Sequence, residues 1–158
     1  MRVQDIMVQD ASRGTLTTNA AEAAEIMWTK NCGSLPIVED GGRVIGMVTD
    51  RDLFIALGTQ NRLASEVLVG EIMHPAPSVC TPEDDVRHAL RTMAKHRVQR
   101  LPVVDISGVL KGILSIDDVL LRTDSAYKED TIRTLKVIGE RLSRKGENRK
   151  LQAKPATA

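Results

Sequence analysis

Aromatic side chains are almost missing from this 158-residue chain, which has one Trp, one Tyr and one Phe. No row of rings is available on which the bases of a single-stranded nucleic acid would stack, and the core must be built from aliphatic residues and Met. Cysteine is nearly as scarce: Cys32 and Cys80 stand far apart, with no Cys-x-x-Cys pair and no neighbouring histidine. This argues against a disulfide framework and a metal-ligand set, and both are read as reduced, buried, small apolar residues. No apolar run approaches the roughly 18 residues that span a bilayer. Met1–Asp10 also lacks the charged-then-apolar pattern of a secretory leader, so the expectation is a cytoplasmic protein without membrane contact.

Net charge is small too, +1 over the chain. Its distribution is uneven, with nine basic and four acidic residues from Lys128 onward against thirteen and seventeen before it. With 42% hydrophobic and 27% charged residues the composition is that of a folded globular protein. The length allows one ordinary domain, or two small units that fold against each other.

What the chain does have is a repeat. Ile6, Met7, Ala23, Met27, Leu35, Pro36, Val38, Gly42, Gly46 and Asp52 recur as Ile72, Met73, Ala89, Met93, Leu101, Pro102, Val104, Gly108, Gly112 and Asp118, each 66 positions later. An ungapped register over some fifty residues means two copies of one supersecondary unit, and a pseudo-twofold axis between copies creates paired clefts. Apolar residues at helical spacing, Ala20, Ala23, Ala24, Met27 and Trp28 in one copy and Val86, Ala89, Leu90, Met93 and Ala94 in the other, predict helices with one buried face. Asn19 and Asp85 are placed to cap them, with Glu22 completing a capping box in the first.

The runs Leu35–Glu39 and Val44–Thr49, and Leu101–Asp105 and Leu110–Ser115, flank Gly-containing turns and read as hairpins. Proline in the first strand of each implies an edge or strand-start position. Helical pattern resumes after Thr49 and Ser115. The expected architecture is α/β (α+β), two strand-helix-strand-strand-helix repeats covering 1–60 and 67–123 with a connector at 61–66. A helix over 124–145 follows, docked through Ile132, Leu135, Ile138 and Leu142, and 146–158 reads as a disordered tail.

The most specific local pattern is a strand followed by Gly-x-x-[Ser/Thr]-x-x-Asp: Gly46, Thr49, Asp52 and Gly112, Ser115, Asp118. One reading is a pair of capping boxes, in which hydroxyl and carboxylate satisfy free N–H groups at a helix start. The other uses the same geometry for a ligand. A helix N-terminus with a hydroxyl suits a phosphate, and an acceptor-only Asp one turn away suits the paired hydroxyls of a ribose. Phosphate and ribose together make a nucleotide.

These residues, in order and twice over, resemble a tandem pair of CBS domains, the adenosine-ligand-sensing Bateman module. The resemblance covers about residues 1–123. It implies that Asp118 with Ser115, and Asp52 with Thr49, meet ribose and phosphate, and that Arg100, directly before the Leu-Pro-Val strand, meets the phosphate. It places the adenine against the partner repeat: near Cys32 and Gly33 in one cleft, and near Val79, Cys80 and Val98 in the other. The copies are unequal, since Arg100 is matched by Ser34 and Arg97 by Asn31. The Arg100 cleft is therefore expected to be the stronger anion site and the Thr49–Asp52 cleft, with Ser34, the weaker. Arg51 and Arg97 are further candidate phosphate contacts; the bland alternative for these arginines is a solvated surface charge.

The implied ligand is AMP or ATP, with NAD and S-adenosylmethionine sharing the same adenosine, and no catalytic cofactor is expected. The implied assembly is a homodimer that signals to an unidentified protein partner. A competing reading is an adaptor in which the basic tail (Arg141, Arg144, Lys145, Arg149, Lys150, Lys154) binds nucleic acid or an acidic partner. An enzyme is not expected, because no nucleophile-base pair, metal cluster or Walker loop is present. His74, His88 and His96 read as surface residues.

Overall fold

The computed structural model describes residues 1–152, with side chains through residue 140. It is a mixed α/β structure of two repeats with a long C-terminal helix. The first repeat contains β1 (Val8–Gln9), β2 (Gly14–Thr15), α1 (Ala20–Thr29), β3 (Ser34–Val38), β4 (Val44–Thr49) and α2 (Asp50–Gln60). The second contains α3 (Val69–Ile72), β5 (His74–Pro75), α4 (Val86–His96), β6 (Arg100–Val104), β7 (Leu110–Ser115) and α5 (Ile116–Arg122). Helix α6 (Lys128–Gln152) follows. It continues beyond the helix end read at residue 145, and residues 153–158 of the expected tail lie outside the described residues.

Each repeat lends its first strand to the other. β1 pairs antiparallel with β7, Val8 opposite Ile113 and Gln9 opposite Gly112, while β5 pairs with β4, His74 opposite Met47 and Pro75 opposite Gly46. The sheets are thus β2-β3-β4-β5 and β1-β7-β6. At the turns the Val44 N–H donates to the Gly108 carbonyl and the Leu110 N–H to the Gly42 carbonyl, both at 3.0 Å. These reciprocal bonds are the pseudo-twofold relation made physical.

The exchange decides which residues share a core. Val3 and Ile6 are buried with Val86, Leu90, Leu101 and Leu114 of the second repeat, whereas Val67 and Val69 are buried with Ala23, Leu35 and Val48 of the first. Boundaries drawn at 60 and 67 divide the sequence copies but not the packed units. Pro36 and Pro102 fit because the strands beside them are short: the Pro102 carbonyl points away from β7 to accept the Cys80 N–H at 3.1 Å, so the missing proline N–H leaves the β6–β7 ladder intact.

The helices form where their caps and stripes require. Asn19 Oδ1 accepts the Glu22 N–H at 2.9 Å and Glu22 Oε2 accepts the Asn19 N–H at 3.0 Å, closing the capping box at α1. Asp85 caps α4 through the Arg87 N–H. The two stripes, however, are not buried equally. Val86, Ala89, Leu90 and Met93 are buried on α4, but on α1 only Ala20, Ala23 and Met27 are, and Trp28 is 88% exposed. The reason is α6, which lies across α4, whereas no such helix lies over α1 among the described residues.

Of the stripe expected on α6 only Ile138 is buried among the described residues, and Leu142 lies outside the residues whose side chains are described. Tyr127, Thr131, Thr134 and Ile138 are buried, with the Thr134 hydroxyl donating to the Leu90 carbonyl, while Ile132 and Leu135 face solvent. Arg87 fixes the start of the helix: its guanidinium sits 4.8 Å from the Tyr127 ring centroid, pairs with Asp130 at 3.0 Å and donates to the Ala126 carbonyl.

Candidate functional site

A cleft of about 350 Å³ opens between the two repeats. Arg100, Ser115 and Asp118 of the second repeat line it, as do Cys32 and Ser34 of the first. Arg100 and Ser115 are neighbours because they face each other across the β6–β7 ladder. Asp118 arrives by the first turn of α5, and Cys32 and Ser34 by the turn that carries α1 into β3. Val8 and Ile113, paired across β1–β7, make an apolar wall, and Asp10, Ala11, Ser12, Lys30, Asn31 and Asp117 complete the rim.

The polar groups have distinct states. The Ser115 hydroxyl donates to Asp118 Oδ2 at 2.6 Å and its N–H to the same oxygen at 2.8 Å, while the Asp118 N–H returns a bond to Ser115 Oγ. The capping box is therefore formed, and it leaves Asp118 Oδ1 without a hydrogen bond among the described residues. None of the ion pairs there uses Arg100. The Ser34 side chain is buried, 4% exposed by residue, and its hydroxyl has no hydrogen-bond partner among the described residues.

The remaining sequence-derived residues lie elsewhere. Thr49 and Asp52 form the equivalent capping box at α2, with the Thr49 hydroxyl donating to Asp52 Oδ2 at 2.7 Å. Ser34, assigned from the sequence to that side, does face Thr49 across β3–β4, but it also lines the Arg100 cleft. Gly33 is not part of the lining; its carbonyl accepts the Asp50 N–H. Arg51 and Arg97 are exposed outside the Arg100 cleft, Val79 is exposed, and Val98 packs half-buried against the second core.

Cys80 is buried in the second core, where desolvation first and the Asp84 carboxylate second push its thiol up to about 12. Cys32, by contrast, lies on the cleft wall. His74 lies at the surface as expected, but its Nε2 stands 3.0 Å from Asp52 Oδ1, a partner the sequence did not indicate. β5 crosses into the first sheet and brings together residues 22 apart in sequence, a contact no local spacing reveals. Val8, Asp10, Ala11 and Ser12, with Lys30, Ile113 and Asp117, are cleft residues that sequence reasoning missed. The signal for Val8 was the 66-residue register, which makes it the counterpart of His74.

Paired βαββα repeats that exchange their first strands, with a polar cleft at the junction, define a tandem α/β module. The CBS domain family model matches residues 3–59 and 69–123, and the chain belongs to that family. It is 34% identical over 119 residues to the uncharacterized protein MK0525 of Methanopyrus kandleri, covering 75% of this chain and 60% of that one. It spans only 20–29% of the inosine-5′-monophosphate dehydrogenases and homoserine O-acetyltransferases it also matches. Among solved structures it resembles CBSX2 of Arabidopsis thaliana in complex with AMP, with a TM-score of 0.66 and 30% identity, covering 75% of this chain and 93% of that one. It also resembles the CBS domain pair of protein MJ0100 in complex with 5′-methylthioadenosine and S-adenosyl-L-methionine, with a TM-score of 0.69 and 27% identity over 76% and 93%. Among the described residues no helix is long and apolar enough to cross a membrane, and no cluster of three metal-ligating side chains occurs.

Proposed function

We propose that this chain is a regulatory sensor that binds an adenosine-containing ligand in the Arg100–Ser115–Asp118 cleft and passes the bound state to a partner protein. The observation that carries the reading is a set of polar groups on one inter-repeat cleft that make no hydrogen bond among the described residues: Asp118 Oδ1, whose nearest cation is Arg122 at 3.7 Å, the Arg100 guanidinium and the Ser34 hydroxyl. Asp118 Oδ1 accepts from the ribose diol, Arg100 takes the phosphate in a charge-assisted contact of about 1.5–3 kcal/mol, and the Val8–Ile113 wall with the Cys32 turn flanks the base. The ligands held by CBSX2 and by the MJ0100 domain pair support an adenosine ligand here.

Because both repeats line the cleft, a ligand that favours one arrangement of them shifts their packing by as much as its affinities for the two arrangements differ. α6, seated on α4, carries that shift outward. Exposed apolar residues at equivalent places, Phe54 and Ile55 on α2 and Leu120 and Leu121 on α5, support a homodimer built on these helices. The test is calorimetric titration with AMP, ADP, ATP, NAD and S-adenosylmethionine. One of them is expected to bind, and Asp118→Ala to lose at least about tenfold in affinity. Silence from all five, or an Asp118→Ala protein that binds like wild type, overturns the reading.

A further inference from the structure

The two motif carboxylates are built alike and committed differently. In each capping box Oδ2 is taken: at Asp52 by the Thr49 N–H and hydroxyl (2.9 and 2.7 Å), and at Asp118 by those of Ser115 (2.8 and 2.6 Å). Recognition of a ligand is left to Oδ1. At Asp118 the nearest cation to Oδ1 is Arg122 Nη2 at 3.7 Å, and that guanidinium donates instead to the Ile6 carbonyl at 3.0 Å. At Asp52 the same oxygen already accepts from His74 Nε2 at 3.0 Å. His74 occupies on β5 the place that Val8 occupies on β1, and Val8, which lines the Arg100 cleft, has no side-chain donor to offer.

We propose that His74 is an intramolecular competitor for the diol position of the Thr49–Asp52 cleft, which makes the Asp118 cleft the first to fill. The inference rests on the reading of Asp52 and Asp118 as ribose acceptors. The imidazole N–H imitates a ribose hydroxyl, so a cis-diol ligand enters the Asp52 side only by displacing it. His74 is 72% exposed while Asp52 is 17% exposed, so the imidazole swings out to solvent at the modest cost of an exposed pair. That cost corresponds to about a fivefold difference in affinity at most, a ranking of the clefts and not a permanent block.

The clefts are separated by mutation and titrated calorimetrically with AMP, ATP and S-adenosylmethionine, each alone. In an Asp118→Ala background, which leaves the Asp52 side, His74→Val is expected to tighten binding about fivefold, and His74→Gln, which keeps an N–H donor, to leave it unchanged. In an Asp52→Ala background, Val8→His is expected to weaken the Asp118 side by a similar factor, with thermal unfolding establishing that each variant is folded. His74→Val binding no more tightly than its parent, or Val8→His leaving the Asp118 side unaffected, overturns the role of His74 while the ribose reading stands. A wild-type protein that binds none of the three probes refutes the ribose reading itself and this inference with it.

Discussion

Gly46 and Gly112 occupy the same place in the two repeats, yet alanine there is expected to have very different consequences. A Cβ on Gly112 would overlap the Val8 carbonyl oxygen, a backbone atom, with the Met7 sulfur 3.3 Å away on the other side. A Cβ on Gly46 would instead overlap the sulfur of Met73, the flexible end of a side chain, with the nearest backbone atom, the His74 oxygen, at 3.3 Å. Gly112→Ala must therefore push β1 off β7, losing the two-residue pairing of Val8 and Gln9 and straining the packing behind it, for about 2–4 kcal/mol. The restricted unfolded chain returns about 0.4–1 kcal/mol, leaving a net loss of roughly 1–3.5 kcal/mol. Gly46→Ala needs only a new Met73 rotamer and should stay within about 1 kcal/mol of wild type. Urea unfolding followed by circular dichroism reads the difference: at about 1–3 kcal/mol per molar, the Gly112→Ala midpoint falls by about 1 M and that of Gly46→Ala by much less. Because β1 leads into the cleft wall, Gly112→Ala should also weaken ligand binding. Equal midpoints for the two variants would refute the reasoning.

Ser34→Ala removes an unsatisfied buried hydroxyl, so it should leave the thermal midpoint unchanged or raise it, while lowering AMP affinity; clear destabilisation would mean the hydroxyl has a structural partner. A disulfide thiol reagent at pH 8 should titrate Cys32 in the native protein and Cys80 only after unfolding, because Cys80 is buried and its thiol pushed up to about 12; AMP should slow the Cys32 reaction, and two thiols reacting at one rate would contradict the placement. Tyr127→Ala deletes the buried ring under Arg87 and should cost about 3 kcal/mol and expose α6 to trypsin, with unchanged proteolysis counting against the docking described.

The architecture was readable because a 66-residue register, capping residues and helical stripes are local properties that the chain states twice. Asn19 with Glu22, and the Thr49–Asp52 and Ser115–Asp118 boxes, formed at the expected residues because each bond spans three positions. Trp28 on α1, and Ile132 and Leu135 on α6, are exposed against their periodicity, while Ile138 is buried with it. An apolar periodicity says that a face is fit for burial, but what covers it is set elsewhere in the chain, and α6 exists once, after the second repeat.

The cleft shows the same division. Sequence alone determined the two repeats, their caps and the candidacy of Arg100, Ser115 and Asp118, since residue type and short spacing suffice for these. Only the tertiary structure decided that β1 and β5 change sheets, which sets Val8 against the Asp118 cleft and His74 against Asp52. Strand exchange joins residues far apart in sequence through backbone pairing, which leaves no periodicity in the side chains to read.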